Sequence, residues 1–297
     1  MARLKDYLIA TRPWSFTMTA ISVCVGTALA AAEGPVAWGW FAAVLVGAVC
    51  FHAAANVIND YFDTRYGVDQ PDSPTAHYRP HPLLGKMMTP GQLMAEAVVL
   101  YAITIGAGLA VAFARSLDVL WIGIVGFLAS LLYTAGPVRY KYRALGELSV
   151  FLMWGPLMVG GAYAAQRGAL TVRPLVISIP FGVLVALVLF ANNMRDIAYD
   201  SRQGVRTLSI MLGQKRSLAI YLGLFSAAYL AILVMVAAGY VTPWALLVFL
   251  SLPKAFLLFR TFARAVPDAA DALTAQLDTI FGIFLIAGLV IARLIPS

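Results

Sequence analysis

Apolar residues in this chain come in long unbroken runs separated by short polar stretches, from residue 15 to residue 295. Crossing the hydrocarbon core of a bilayer takes roughly 20 apolar residues as helix. Nine runs meet that length, at about 15–32, 38–58, 92–113, 118–136, 147–165, 174–195, 217–238, 242–261 and 278–295. They are continuous rather than alternating, which selects helices over the two-residue period of a transmembrane barrel. The pattern predicts an all-α polytopic membrane protein with nine transmembrane helices. Connectors as short as residues 239–241 leave no room for a second folded unit, so residues 1–297 are expected to form a single transmembrane domain.

Composition sharpens this picture. Of the 297 residues 61% are hydrophobic and 12% are charged, with a mean hydropathy of +0.83. Soluble domains carry about a quarter charged residues, so an ordinary soluble enzyme, a disordered chain and a disulfide-stapled secreted domain are all excluded. The net charge of +7 would suit a nucleic-acid binder, but its placement says otherwise. All but four of the 21 Lys and Arg (Arg115, Arg167, Arg173 and Arg293) fall on the side of the N-terminus. The positive-inside rule then makes the N-terminus cytoplasmic and, after an odd number of spans, the C-terminus external. The expected setting is the lipid bilayer of a cell membrane, an inner membrane in a bacterium, with no nucleic-acid partner. Cys24 and Cys50 lie inside spans without metal-ligand spacing and read as packing residues.

The three polar-rich loops, at about 59–91, 137–146 and 196–216, all face the cytoplasmic side. Long loops in compact proteins tend to carry function, and three on one surface point to one site beneath a shared cap. The first opens with Asn56-Val-Ile-Asn59-Asp60-Tyr-Phe-Asp63. If the second helix runs past the membrane edge, Asn56, Asp60 and Asp63 fall at i, i+4 and i+7 on one face, with His52 a turn deeper. The third cluster places Asn192, Asp196 and Asp200 at i, i+4 and i+8. Each stripe starts with an amide inside the apolar span and ends in two carboxylates toward the cytosol.

Carboxylates one turn apart repel, and a carboxylate at membrane depth costs about 2.5–3.5 kcal/mol on insertion scales. A divalent cation offsets both costs. Mg²⁺ is held by one or two carboxylates, retained waters and substrate phosphates, so two facing stripes suit two Mg²⁺ ions with a diphosphate between them. Asp60, Asp63, Asp196 and Asp200 are the candidate catalytic carboxylates and metal ligands. Asn56, Asn59 and Asn192 are candidates for orienting the metal shell or a phosphate oxygen. Arg79, Lys141 and Arg206 are the favoured diphosphate partners, with Arg143 and Arg12 behind them and Arg195 nearby. Asp69 reads either as a further ligand or as a turn residue. The plain alternative is a set of solvated helix ends capped by Asp and Asn; two matched stripes on one side weigh against it. His52 reads as a helix-packing residue, and His77 and His81, in a Pro-rich loop without ligand spacing, receive no metal. No phosphate loop or dinucleotide fingerprint is present.

A diphosphate site at the mouth of an apolar bundle suits a ligand that is anionic at one end and hydrocarbon at the other, as prenyl diphosphates are. An allylic cation left by departing diphosphate must be kept from water, and aromatic faces stabilise it. Tyr61, Tyr133, Tyr163 and Tyr199 lie near the polar loops.

These motifs resemble the UbiA superfamily of intramembrane prenyltransferases, through N-x-x-N-D-x-x-D at Asn56, Asn59, Asp60 and Asp63 and D-x-x-x-D at Asp196 and Asp200. The resemblance covers most of the chain. It is similar in particular to the 1,4-dihydroxy-2-naphthoate branch of menaquinone biosynthesis, through Arg12-Pro-Trp-Ser-Phe-Thr17, Tyr133-Thr-Ala-Gly-Pro137, Tyr140-Lys-Tyr142, Leu145-Gly-Glu147, Asn192-Asn-Met-Arg-Asp196, Gly204-Val-Arg-Thr-Leu208 and Thr274-Ala-Gln-Leu277. It implies a nine-helix bundle around a central cavity open to the cytoplasm, with Tyr133 among the substrate-binding residues. It also implies Mg²⁺-dependent transfer of a polyprenyl group to a small aromatic acceptor, with loss of diphosphate and, for the naphthoate, CO₂. Gly67 stands where the hydroxybenzoate enzymes have a further Asp, and the Gly-x-Asp ending at Asp69 resembles the naphthoate branch. Glu147 stands where that branch more often has Asp. The alternatives are 4-hydroxybenzoate, homogentisate or another acceptor.

A transporter is the rival from another class. Transporters place ionisable residues near the bilayer midplane, often in inverted repeats. Here Glu96 is the one carboxylate placed clearly within a span, and the two Asp motifs lie an even number of helices apart, on the same side, which opposes an inverted repeat.

Overall fold

The computed structural model describes residues 2–295; the side chains of Thr75 and His77 lie outside the described set, so the absence of a metal role expected for His77 meets no observation. Helix α1 (Leu4–Ala10) and a 3-10 turn at Pro13–Ser15 lead into α2 (Phe16–Ala31). Next come α3 (Trp38–Arg65), the short α4 (Pro74–Tyr78), α5 (Pro90–Ala114) and α6 (Leu117–Thr134). The fifth span is α7 (Gly146–Leu152), a π turn at Met153–Leu157 and α8 (Met158–Arg167). Pro156 lies in that turn and Gly155 has non-helical backbone angles, as expected where proline removes a helix N–H and crowds the preceding turn.

The sixth span is divided into α9 (Val172–Ile177) and α10 (Ile179–Arg195) at Ser178, just before Pro180. The short α11 (Ile197–Arg202) and α12 (Leu208–Leu212) follow, then α13 (Gln214–Ala237). A 3-10 stretch at Pro243–Ser251 runs into α14 (Leu252–Arg264), and α15 (Ala270–Leu294) closes the chain. Eight of these segments are long and apolar enough to cross a membrane as single helices; the divided sixth supplies the remaining apolar helix. The nine apolar segments are thus all present as helices, and large apolar side chains such as Val98, Phe113 and Trp121 on α5 and α6 are left facing outward.

Two boundaries differ from the apolar pattern. Helix α3 extends to Arg65, so Asn59, Asp60 and Asp63 are helical rather than part of a loop. Helix α15 starts at Ala270, which puts Asp278 about two turns inside it, 1% exposed and with neither carboxylate oxygen hydrogen-bonded. Glu96 is therefore not the only carboxylate within a span. The hydropathy run missed this because polar residues can occupy one turn of a helix without ending it.

The main core joins α2, α10, α13 and α15 through Ile21, Phe181, Leu184, Tyr221, Phe281 and Leu285. At Gly282 a Cβ would stand 2.4 Å from Ile21 and 2.9 Å from Phe181; this close approach of three helices requires the absent side chain. A second cluster packs α3 on α5 through Ala54, Val57, Leu93 and Ala97. These two clusters fix the C-terminal ends of α3 and α10, which carry the two Asp motifs. An apolar cavity of ≈ 410 Å³ lies between α3, α5, α6 and α8, lined by Phe51, Thr104, Phe127, Met153 and Gly161.

Candidate active site

At the end of α3, Asp60 is fully buried and surrounded by cations. Arg79 donates two N–H bonds to its carboxylate, at 3.1 and 2.7 Å, and Arg12 donates a third. Arg12 reaches this position from a left-handed backbone (φ 56), unusual for a residue other than glycine. Two bonds to its carbonyl hold that turn, from the Ser15 N–H at 3.0 Å and the Ser15 hydroxyl at 2.8 Å. The Asn56 amide donates to the Thr11 carbonyl at 3.0 Å. Asn56 therefore fixes the N-terminal turn that delivers Arg12. One turn deeper, His52 bonds Thr19 at 2.8 Å and Ser15 at 3.2 Å, between the rings of Phe16 and Trp154.

Asp63, also buried, receives Lys141 and the Tyr142 hydroxyl, and Lys141 donates a second bond to Asn59 Oδ1 at 2.9 Å. Burial works against the Lys141 ammonium, but the Asp63 carboxylate and its neighbours outweigh it and hold the group above its ordinary range. The sequence reading gave Tyr142 no role; its position beside Lys141 in a 3-10 turn (Tyr140–Tyr142) is what turns its hydroxyl onto Asp63.

Past Arg65 the chain reverses at Gly67, whose φ of 72 is the conformation glycine supplies at a helix end. The N–H groups of Val68 and Asp69 both return to the Asp63 carbonyl, at 2.9 and 3.1 Å. This reversal carries Asp69 to His81, 3.2 Å away, and one donor atom each from Asp60, Asp69 and His81 lies within 4.8 Å of the others. Gly67 thus lets a turn deliver the Asp69 carboxylate. His81, which received no metal on its sequence spacing, is folded by its Pro-rich loop against the carboxylates of Asp60 and Asp69, a placement that ligand spacing on a regular element does not describe.

The second motif ends α10. Asp196 accepts two bonds from Arg195, at 2.7 and 2.8 Å, and Arg195 also reaches Asn192 Oδ1 at 2.7 Å and Asp271 at 3.1 Å. Asn193, rather than Asn192, crosses to the fifth span, donating to Glu147 at 2.8 Å. The Asp200 N–H bonds the Asp196 carbonyl at 2.9 Å, which continues the helical stripe through the break between α10 and α11. Among the described residues no cation pairs with Asp200. Burial and then the Asp196 carboxylate, with Asp63 and Asp69 adding and Lys141 opposing, push its carboxyl up to about 7. The two motifs therefore share one electrostatic field.

The loops close over this cluster as one layer. Ala144 N–H bonds the Arg206 carbonyl at 2.8 Å, Arg206 N–H bonds Tyr142 at 3.3 Å, and the Tyr199 hydroxyl bonds the Val68 carbonyl at 3.0 Å. At their junction is a cavity of ≈ 370 Å³ lined by Tyr66, Arg139, Tyr142, Arg143 and Gln203. Arg143, which lines it, and the neighbouring Arg206 are both exposed, and neither forms an ion pair among the described residues. Tyr133 stacks edge-on with Tyr140, its ring 5.9 Å from the Lys141 ammonium. Five carboxylates (Asp60, Asp63, Asp69, Asp196 and Asp200) thus face four cations (Arg12, Arg79, Lys141 and Arg195). This set of hard oxygen donors with an excess negative charge, registered at Asp200, fits a hard divalent cation.

The sequence profile of the UbiA prenyltransferase family matches residues 19–289. The chain belongs to that family. It is similar to UbiA prenyltransferase domain-containing protein 1 of Homo sapiens, at 31% identity over 97% of this chain and 84% of the relative. It is equally similar to the 1,4-dihydroxy-2-naphthoate octaprenyltransferase of Bacillus subtilis (strain 168), at 31% identity over 95% and 91%. Among solved structures, a UbiA homologue from Archaeoglobus fulgidus bound to GPP and Mg²⁺ superposes with a TM-score of 0.63 at 16% identity, covering 96% of this chain and 99% of that one. The protein is a multi-pass membrane prenyltransferase of the UbiA fold.

Proposed function

We propose that this UbiA-family protein transfers a polyprenyl group from a polyprenyl diphosphate to 1,4-dihydroxy-2-naphthoate, giving demethylmenaquinone, CO₂ and diphosphate. The observation that carries the proposal is the charge pattern at the C-terminal ends of α3 and α10, with five carboxylates, four buried or half-buried cations and two exposed arginines, Arg143 and Arg206, on the loops above them. Asp60, Asp63, Asp196 and Asp200 are assigned to hold two Mg²⁺ ions, with Asp69 as a fifth carboxylate on the same cluster. Asn59 and Asn192 orient that shell. Arg79, Lys141, Arg143 and Arg206 take the diphosphate oxygens, and Tyr133 lines the substrate space.

Bound Mg²⁺ would supply Lewis-acid stabilisation of the departing diphosphate. The chain's own part is electrostatic: charged donors fixed before reaction stabilise the leaving-group charge without reorganising. The C–O bond to diphosphate breaks with its electron pair on oxygen, and the electron-rich ring attacks the allylic carbon. The pair of the ring–carboxylate bond then restores aromaticity as CO₂ leaves. The cap loops and the apolar bundle exclude water from the cation, and the ≈ 410 Å³ cavity offers hydrocarbon surroundings below the site. The Bacillus relative supports the naphthoate acceptor, and the positive-inside pattern supports a cytoplasmic N-terminus, site and cap in a cell inner membrane, with the C-terminus outside.

The test is to incubate the purified protein in detergent with Mg²⁺, a radiolabelled polyprenyl diphosphate and each acceptor separately: 1,4-dihydroxy-2-naphthoate, 4-hydroxybenzoate and homogentisate. Labelled lipid with the naphthoate alone, together with CO₂ release from carboxyl-labelled naphthoate, is the expected result. Labelling with another acceptor instead overturns the acceptor assignment. Full activity in Asp63→Ala and Asp196→Ala overturns the site.

A further inference from the structure

The loop between α3 and α5 buries a histidine that the reaction just outlined does not use. His81 is 3% exposed. Its Nδ1 accepts the Leu84 backbone N–H at 3.2 Å, so the ring proton is on Nε2, which donates to Asp69 Oδ2 at 3.2 Å. Asp60 Oδ1 lies 3.9 Å from the same nitrogen, beyond hydrogen-bond reach but within strong electrostatic range. Among the described residues, His81 is the only side chain bonded to the Asp69 carboxylate. The neighbouring cations are committed elsewhere, Arg12 and Arg79 to Asp60 and Lys141 to Asp63.

We propose that His81 is a positioning residue for the cation end of the site: it holds Asp69 beside Asp60 by occupying one carboxylate oxygen, leaving the other for a divalent ion. This inference rests on the reading of the cluster as a metal–diphosphate centre. Direct ligation by the ring is disfavoured by the same hydrogen bonds. A metal on Nε2 needs that nitrogen's lone pair, which moves the proton to Nδ1, and there it would collide with the Leu84 N–H. Orienting one ligand oxygen through a histidine N–H is the arrangement that satisfies both ring nitrogens at once.

Mn²⁺ serves as the spectroscopic probe, its affinity for the purified full-length protein measured by electron paramagnetic resonance with and without inorganic diphosphate. His81→Ala should weaken Mn²⁺ binding by about tenfold, the lower end of what loss of an outer-shell partner costs. It should raise the Mg²⁺ requirement of prenyl transfer by a similar factor, with kcat at saturating Mg²⁺ changed much less. His81→Gln, which keeps an N–H donor of similar reach, should recover most of the affinity. In an Asp69→Asn background His81→Ala should have no further effect, because the two act as one unit. Unchanged Mn²⁺ affinity in His81→Ala, or a His81→Gln variant as weak as His81→Ala, overturns the role of His81 alone. Absence of Mn²⁺ binding to the wild-type protein overturns the metal-centre reading and this inference with it.

Discussion

Asp200 offers the sharpest separation of function from stability. Its carboxyl is raised from 3.8 to about 7 by burial first and by the Asp196 carboxylate next. Each pKa unit corresponds to about 1.36 kcal/mol, so the ionised form is disfavoured by about 4 kcal/mol before screening. The side chain is only partly buried, and solvent reduces this to roughly 2–4 kcal/mol. The native protein keeps a proton that the unfolded chain releases, so this group's contribution to stability falls as pH rises between about 4 and 7. Asp200→Asn removes that penalty and, with it, a metal ligand. Thermal unfolding in detergent should therefore show a midpoint for the variant above that of wild type by less than half as much near pH 5 as near pH 7.5. Mg²⁺ with inorganic diphosphate should stabilise the wild type and leave the variant unchanged, while prenyl transfer by the variant falls by about a hundredfold or more. A variant that is less stable at both pH values, or one that gains stability equally at both, refutes the field assigned to Asp200.

Asp60→Ala is expected to behave in the opposite way: it strands Arg79 and Arg12 without a counter-charge and should cost about 3–5 kcal/mol, read as a lower midpoint that Arg79→Met partly restores. Arg143→Ala and Arg206→Ala should raise KM for the prenyl diphosphate by about tenfold, equal to about 1.4 kcal/mol, with unfolding unchanged, since neither side chain forms an ion pair among the described residues. Asp278→Leu removes two buried oxygens without partners and should raise the thermal midpoint by an amount equivalent to about 1–3 kcal/mol. Lys141→Met should tighten binding of Mn²⁺ alone and weaken binding of Mn²⁺ with diphosphate; titrations with and without diphosphate check it, and a change of the same sign in both refutes it.

The nine apolar segments were legible because bilayer thickness imposes a length that composition alone meets. The matched stripes of Asn56, Asp60 and Asp63 and of Asn192, Asp196 and Asp200 were legible because helical spacing turns sequence distance into a shared face. What closes the site was not. Arg12 meets Asp60 across 48 positions and Lys141 meets Asp63 across 78, and no local period encodes contacts made by helix packing. Asp69 and His81 meet because of one glycine with positive φ and one backbone N–H from Leu84, neither of which belongs to a periodic pattern. Asp278 was missed for a related reason: hydropathy windows place a polar residue at the edge of a run even where the helix began two turns earlier.

The pairing of carboxylates with resident cations bears on how the site takes its ligands. Asp60, Asp63 and Asp196 are each neutralised by Arg or Lys, so a metal binding there must displace a basic side chain rather than fill a vacancy. Released guanidinium and ammonium groups in a buried setting need new anions at once, because an unpaired buried charge costs several kcal/mol. Two divalent ions bring four positive charges and a diphosphate brings three negative ones, against five carboxylates and four cations in the protein. Together they leave the site closer to neutrality than either does by itself, since metal alone leaves a surplus of positive charge and diphosphate alone a surplus of negative charge. On the proposed reading, the carboxylates pass from basic residues to metal while the basic residues pass to phosphate, and neither exchange is favourable without the other. Removing Lys141 breaks this reciprocity at one point, which is why its effect on metal binding should change sign with the presence of diphosphate.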